Sequence, residues 1–374
     1  MTTTPNGRWL DRSLDRGLDR GLVGAAFAAL LAFAAPAFAQ GAEAPSIGGF
    51  VPPPEPGVAA VAAERREGAR PATREELEGG EGTRVYGATL ASEGEYPYQV
   101  AIVRLDDNGN PTQNFCGGSI IDRQWILTAA HCAQAEFGTD FAPRQIAVGT
   151  GSPDLRQMDL RAVSRIIVHP DYRQDWRGLE HDIALLKLAA PITETRKPVG
   201  GIRIAPPGFD APPGPSVITG WGETDEKDDR YPVHMREAEL QLVDRETCNA
   251  GWVNAYQEEA VQFLSALSGR ANVDPARLQP AYDRLAAGMK GPITENMICA
   301  GTPGGERTAC HGDSGGPLTI READGRVLQV GVASWVYKPV SYYPERNCGR
   351  PGTYAVYVNI ANYFDWIAGH VRGS

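Results

Sequence analysis

The sequence has no excess of positive charge, since 36 lysine and arginine residues stand against 46 aspartate and glutamate residues, for a net charge of −10. Binding to a nucleic acid or to an anionic membrane surface depends on clustered positive charge. We therefore expect neither of them as a partner. The length of 374 residues and the hydrophobic content of 42% are sufficient for a globular protein with a substantial core.

Long hydrophobic runs are also scarce. Residues 21–35 form an apolar run of fifteen residues, shorter than the roughly 20 that a transmembrane helix requires. Four arginines precede this run and the small-residue sequence Ala37-Phe38-Ala39 follows it. This order predicts a secretory signal peptide over residues 1–39, with an uncleaved membrane anchor as the alternative. A secreted protein, extracellular or periplasmic, is expected to pair its six cysteines in three disulfides.

Residues 40–84 contain few side chains that could form a core. Prolines dominate residues 52–56 and charged residues dominate 64–67. Such a segment cannot compensate the entropy lost on ordering, so we predict a disordered linker or pro-segment. From Tyr86 onwards, short apolar runs separated by Gly, Pro and Asp clusters predict a β-protein.

The glycine-rich stretch TACHGDSGGPL at residues 308–318 contains a candidate nucleophile, Ser314. It also fits the esterase pattern G-x-S-x-G, and a plain glycine-rich turn is the third interpretation. A serine hydroxyl needs a base to remove its proton and a carboxylate to orient that base. His131, after a predicted strand, and Asp182, at the start of another, are one residue of each type.

Four segments resemble a known family: FCGGS at 115–119, LTAAHC at 127–132, DIALL at 182–186 and GDSGGP at 312–317. They resemble signature segments of the chymotrypsin/trypsin-like serine proteases, in that family's order of His, Asp and Ser. The resemblance covers most of residues 85–374. It implies an all-β fold of two packed antiparallel six-stranded β-barrels, at about 85–209 and 210–374, with a C-terminal helix. We expect a secreted, bacterial member.

The esterase alternative would use Ser314, then Asp324 or Asp365, then His370. Its nucleophile needs a helix directly after the serine, whereas residues 315–325 have the pattern of a strand and a turn. The sequence therefore favours the protease. A non-catalytic binding protein on the same scaffold is the other alternative, although such proteins usually lose part of the triad.

The resemblance implies roles for the site residues. Ser314 would attack a peptide carbonyl, His131 would transfer the proton, and Asp182 would orient His131. The backbone N–H groups of Gly312 and Ser314 would form the oxyanion hole. Six cysteines allow fifteen pairings. The pairs that the resemblance implies are Cys116–Cys132, Cys248–Cys299 and Cys310–Cys348.

Residues 83–88 resemble the activation site of the family's zymogens. Cleavage after Arg84 would free the α-amino group of Val85, which would pair with the buried Asp313. An ordinary arginine before a strand is the alternative. Protein or peptide substrates are the expected partners, with an activating protease as a further one. We expect neither a cofactor nor a metal.

The primary specificity pocket is where this chain departs from the family's pattern. The pocket residues that the resemblance implies are Thr308, Ser334, Trp335, Val336 and Gly352. Thr308, at the base, has no charge, Val336 narrows the entrance, and Gly352 leaves the opposite wall open. These features predict a preference for small to medium aliphatic side chains. The long loop 336–347 is the alternative determinant, because Glu345 could supply a negative charge.

Fifty residues between Cys248 and Cys299 replace a much shorter loop of the family. Residues 256–267 are amphipathic at helical spacing, and residues 274–288 open with Asp as a potential N-cap and Pro at the first helical position. We therefore predict an inserted helical hairpin at about 252–292. It could be an exosite or lid beside the substrate cleft, or could simply pack on the barrel.

Overall fold

The computed structural model of the protein describes residues 88–135, 139–175, 178–193, 197–223, 232–271, 274–337 and 348–373. The predicted signal peptide (1–39), the predicted pro-segment (40–84), Val85 and Glu345 lie outside the described residues.

The described ranges consist mainly of β-strands, with three α-helices in the second half of the chain. In chain order the strands are β1 (Thr89–Leu90), β2 (Gln99–Leu105), β3 (Pro111–Asp122), β4 (Trp125–Thr128), β5 (Ile146–Thr150), β6 (Asp159–Val168), β7 (Arg173–Asp175), β8 (Gly178–Glu180), β9 (Ala184–Leu188), β10 (Arg203–Ile204), β11 (Gly214–Gly220), β12 (Arg236–Val243), β13 (Met297–Gly301), β14 (Pro317–Arg321), β15 (Val327–Trp335) and β16 (Ala355–Asn359). The α-helices are α1 (Arg245–Ala271), α2 (Pro275–Gly288) and α3 (Phe364–Arg372).

The first barrel closes in the order β2-β3-β4-β9-β6-β5, with every neighbouring pair antiparallel. Its short central strands are apolar and almost completely buried, as in β4, where all four residues are buried. Residues such as Ile102, Leu127 and Leu185 are fully inaccessible and form the barrel's core. Burial of such side chains is the main stabilising contribution to a fold of this kind.

The second barrel follows the order β12-β11-β14-β15-β16-β13, and the pairing of β13 with β12 closes the ring. These pairings are antiparallel as well. The predicted fold of two antiparallel six-stranded barrels is therefore confirmed. Two short strands from the earlier part of the chain join this second sheet, since β1 pairs with β12 and β10 pairs with β15.

The inserted helical hairpin is present, but its first helix is longer than the sequence pattern indicated. Helix α1 begins at Arg245, before Cys248, because the Asp244 carboxylate accepts hydrogen bonds from the backbone N–H and the hydroxyl of Thr247, at 2.7 and 2.8 Å. Helix α2 begins as predicted, with the Asp274 carboxylate accepting from the Ala276 N–H at 3.0 Å and Pro275 at the first position.

The C-terminal helix α3 packs its apolar face on the core of the first barrel. Tyr363, which precedes the helix, and Ile367 are buried in that cluster, and Trp366 is half-buried against it. None of the described helices combines the length and the apolar character needed to cross a membrane.

Candidate active site

His131 and Asp182 lie side by side because the strands that carry them are neighbours. His131 begins a short 3-10 turn after β4, and Asp182 comes just before β9, with Thr128 of β4 opposite Ala184 of β9. Asp182 Oδ2 accepts a 2.8 Å hydrogen bond from His131 Nδ1, and Oδ1 accepts one of 2.9 Å from the His131 backbone N–H. With its proton on Nδ1, the neutral imidazole presents Nε2 as a hydrogen-bond acceptor.

The carboxylate of Asp182 has a third donor that the sequence did not indicate. The hydroxyl of Ser334, on β15 of the second barrel, donates to Asp182 Oδ2 at 2.5 Å. Asp182 is fully buried, and a buried carboxylate is stable only when hydrogen bonds replace the water that it lost. Ser334 was expected in the pocket wall, and its hydroxyl is bonded to the predicted triad.

Ser314 is held by its backbone against both barrels. Its carbonyl accepts a 2.7 Å hydrogen bond from the Gly117 N–H of β3, and the next residue, Gly315, donates to the Ala333 carbonyl of β15 at 2.7 Å. Among the described residues, Ser314 makes no side-chain hydrogen bond with His131. Such catalytic contacts are often long in the absence of substrate and tighten when it binds.

Gly315 is required at its position for two reasons. Its φ of +79° lies in the left-handed region, which side chains disfavour. A Cβ there would also come within 2.2 Å of the Thr128 Oγ1 and 2.5 Å of the Gly117 carbonyl oxygen. The glycine thus lets the serine loop approach the strand that precedes His131.

The predicted oxyanion hole lies in the same turn. Gly312 has a φ of +96°, again in the left-handed region. Within the described part of the chain, no hydrogen bond occupies the backbone N–H groups of Gly312 and Ser314. Two uncommitted N–H donors beside a nucleophile are what a developing oxyanion requires.

Asp313 lies in this turn, between Gly312 and Ser314, and its side chain is buried. Its carboxylate accepts hydrogen bonds from the N–H groups of Gly222 and Cys310, at 2.8 and 3.0 Å. Burial, with a smaller contribution from the nearby Glu223 carboxylate, raises the pKa of Asp313 to about 6. The activation hypothesis pairs this carboxylate with the α-amino group of Val85. Val85 and Arg84 both lie outside the described residues.

The three disulfides pair the cysteines that the resemblance implied. The observed pairs are Cys116–Cys132, Cys248–Cys299 and Cys310–Cys348. The first joins β3 to the turn of His131, whose Nε2 lies 3.7 Å from the Cys132 sulfur. Among the described residues, the two Cys-His-Cys groups that could resemble metal sites are formed by disulfide sulfurs, which are not thiolate ligands.

The predicted pocket residues lie in three segments, which contain Thr308, residues 334–336 and Gly352. Thr308 is buried, with 4% of its surface exposed, while Val336 is half-buried and Gly352 is exposed with a φ of +78°. Trp335 is half-buried at the end of β15. Residues 338–347 of the long loop lie outside the described residues.

Comparison with known proteins agrees with this geometry. The Trypsin family model matches residues 85–275 and 276–367. The chain is similar to the clotting factor G beta subunit of Tachypleus tridentatus, with 32% identity over 292 residues that cover 76% of this chain and 79% of that protein. The chain therefore belongs to the trypsin family of serine endopeptidases.

Two further relatives are much longer than this chain. Transmembrane protease serine 7 of Rattus norvegicus is 31% identical over 291 residues, which cover 77% of this chain and 28% of that protein. Transmembrane protease serine 9 of the same species is 32% identical over 296 residues, 78% of this chain and 22% of that protein. These three relatives are animal proteins, so they do not support the expected bacterial source.

Proposed function

We propose that the protein hydrolyses peptide bonds in proteins or peptides by a mechanism in which Ser314 is the nucleophile. The observation that supports this most directly is the hydrogen-bonded pair of His131 and Asp182, with the Ser314 loop bound to the neighbouring strand β3 through Gly117. No cofactor and no metal enters the mechanism.

The roles follow from the proton positions. Asp182 holds the Nδ1–H of His131, so Nε2 removes the Ser314 proton as Oγ forms a bond with the substrate carbonyl carbon. The Gly312 and Ser314 N–H groups stabilise the oxyanion. His131 then gives its proton to the leaving amine, and water hydrolyses the acyl-enzyme by the same steps.

A serine-directed organophosphonate probe tests this proposal. We expect covalent labelling of the activated wild-type protein and strongly reduced labelling of His131→Ala, because the hydroxyl then has no base. Ser314→Ala should lower kcat by roughly 10⁶. A properly folded wild-type protein that is not labelled would instead favour the non-catalytic binding protein.

We further propose that the chain is secreted as a zymogen and is activated by cleavage after Arg84. The support is Asp313, a carboxyl group that is 2% exposed and whose pKa is raised to about 6 by burial. The α-amino group of Val85 would provide that cation and stabilise the oxyanion turn. N-terminal sequencing of the active form should therefore begin at Val85.

For the primary pocket we propose a preference for small to medium aliphatic side chains. The uncharged, buried Thr308 supports this, because it offers no partner to an arginine or lysine of the substrate. Such an enzyme would not cleave efficiently after Arg84, so activation requires a second protease. Cleavage of the Ser314→Ala precursor at Arg84 by added wild-type enzyme would contradict this preference.

A further inference from the structure

The backbone of the inserted helix α1 contacts a wall of the proposed pocket at Gly251. A Cβ added to Gly251 would lie 1.9 Å from the carbonyl oxygen of Gly352, less than any real contact allows. A side chain of any size at position 251 would therefore displace either the helix or the segment that contains Gly352.

The segment 348–353 lies between this helix and the base of the proposed pocket. A Cβ added to Gly349 would be 3.6 Å from the Thr308 Cγ2, so this end of the segment lies close to the pocket base. The Gly352 N–H donates to the Pro303 carbonyl at 2.8 Å. A displacement of Gly352 by the helix would therefore strain this hydrogen bond and shift the segment 348–353.

The next residue of the helix supports the opposite wall. Trp252 is 2% exposed, and its ring lies 4.8 Å from that of Trp335 and 5.1 Å from that of Tyr337. Trp335, Tyr337 and Trp252 belong to one apolar cluster around the Cys248–Cys299 disulfide. Because interiors are close-packed, the position of the 335–337 wall follows the size of the side chain at 252.

Arg350 joins the two walls to each other and to the helix. One guanidinium nitrogen donates to the Tyr337 hydroxyl at 2.7 Å and another to the Glu258 carboxylate of α1 at 2.5 Å. The guanidinium also lies over the Tyr337 ring, 4.9 Å from its centre. Both pocket walls therefore have direct contacts with the same inserted helix.

From these contacts we propose that the inserted helix α1 sets the width of the primary specificity pocket, with Gly251 and Trp252 as positioning residues. The inference rests on the proposed function, because it assigns the pocket to a peptide-cleaving site. The helix then helps to determine which P1 side chains the pocket accepts, and the hairpin is more than a surface addition to the barrel.

Two substitutions should change the pocket in opposite directions. We expect Gly251→Ala to displace Gly352 and narrow the pocket, and we expect Trp252→Phe to leave space behind Trp335 and Tyr337 and widen it. One methylene of pocket space changes the selection between substrates by about tenfold or more. The measurement is kcat/KM of the activated full chain on peptides that differ only in their P1 residue, from Ala and Val to Leu and Phe.

We expect the ratio of kcat/KM for the largest accepted P1 residue to that for alanine to fall about tenfold in Gly251→Ala and to rise in Trp252→Phe. The matched controls are Gly288→Ala, in the same hairpin, and Gly369→Ala, inside α3, since an added Cβ meets no atom within 4 Å at either position. Both controls should keep the wild-type ratio.

Ratios that stay within twofold of wild type in both variants, or an equal loss on every peptide, would overturn the proposal. If Gly251→Ala does not fold, the ratio in Trp252→Phe decides alone. Organophosphonate labelling of each variant separates the two hypotheses. A labelled wild type with unchanged ratios in the variants refutes only the role of the helix, whereas an unlabelled, folded wild type refutes the peptidase itself.

Discussion

Ser334 and Asp182 belong to different barrels, and the hydroxyl of Ser334 donates a hydrogen bond to Oδ2 of Asp182. The same oxygen accepts from His131 Nδ1. The second barrel thus contributes directly to holding the carboxylate that orients the histidine. This contact connects strand β15, which carries the proposed pocket wall, with the proposed proton-transfer residues.

Ser334→Ala should lower kcat/KM by about tenfold, because a buried carboxylate that loses a donor becomes costly by roughly 1–3 kcal/mol. We expect the loss mainly in kcat, since the proposed mechanism assigns Asp182 a part in proton transfer. Steady-state kinetics on a short peptide will measure it. Ser119→Ala is the matched control, because it also removes a buried hydrogen bond between the barrels, to Gln329 at 2.7 Å, and should reduce stability without lowering kcat.

The barrels and the loops of His131 and Asp182 could be predicted because their signals are local. Short apolar strands between turn residues indicate the barrels, and β4 and β9 are buried as their composition suggests. The start of α1 also had a local signal, the N-cap at Asp244 with Thr247 three residues later. The amphipathic pattern, however, covers only residues 256–267, so by itself it places the start of the helix too late.

Other contacts have no local signal at all. Ser334 and Asp182 are 152 positions apart in the sequence, and a serine in a strand gives no indication of which carboxylate it will meet. The close approach of Gly251 to Gly352 likewise depends on how the hairpin docks. Packing of distant segments decides such contacts, so residue patterns could predict the inserted helices but not the surfaces that they touch.

Gly315→Ala tests whether the serine loop depends on a glycine for space as well as for conformation. The added Cβ would overlap Thr128 Oγ1 and the Gly117 carbonyl, so both stability and activity should fall. Gly325→Ala is the control, because it has a similar φ of +87° but no atom within 4 Å of the added Cβ. This control should lower the free energy of unfolding in urea by only about 1–2 kcal/mol, because of conformational strain alone. Its kcat should be normal.

His169 should make the folded protein less stable in mild acid. Burial lowers its pKa, and so do the neighbouring His181 and His370, while Asp171 acts in the opposite direction. A histidine with a depressed folded-state pKa binds its proton more readily when the chain is unfolded. The stability that the neutral ring contributes is therefore present above about pH 6.5 and is lost as the pH falls below that value.

The measurement for His169 is the melting temperature of the Ser314→Ala protein, which cannot digest itself, between pH 8 and pH 5. In a His169→Gln background the decrease in melting temperature towards pH 5 should be smaller than with His169 present. Equal decreases in both proteins would show that this ring does not contribute to the acid sensitivity.

Asp313 should make the uncleaved precursor less stable as the pH rises. Its pKa is raised from 3.8 to about 6, mainly by burial, so the folded precursor holds a proton on this carboxyl that the unfolded chain has released. The stability that this proton contributes is fully present below about pH 4 and is lost as the pH rises to 6. The free energy of unfolding falls by about 3 kcal/mol if the whole pKa shift is expressed. Urea unfolding of the Ser314→Ala precursor from pH 4 to pH 8 will measure this decrease.

Two changes should each remove the dependence of stability on the Asp313 carboxyl. Asp313→Asn does not titrate. The proposed cleavage after Arg84 would supply the Val85 amine, which would favour the charged carboxylate and so cancel the advantage of the protonated form. A precursor whose stability changes with pH identically with and without Asp313→Asn would exclude this carboxylate as the group that activation neutralises.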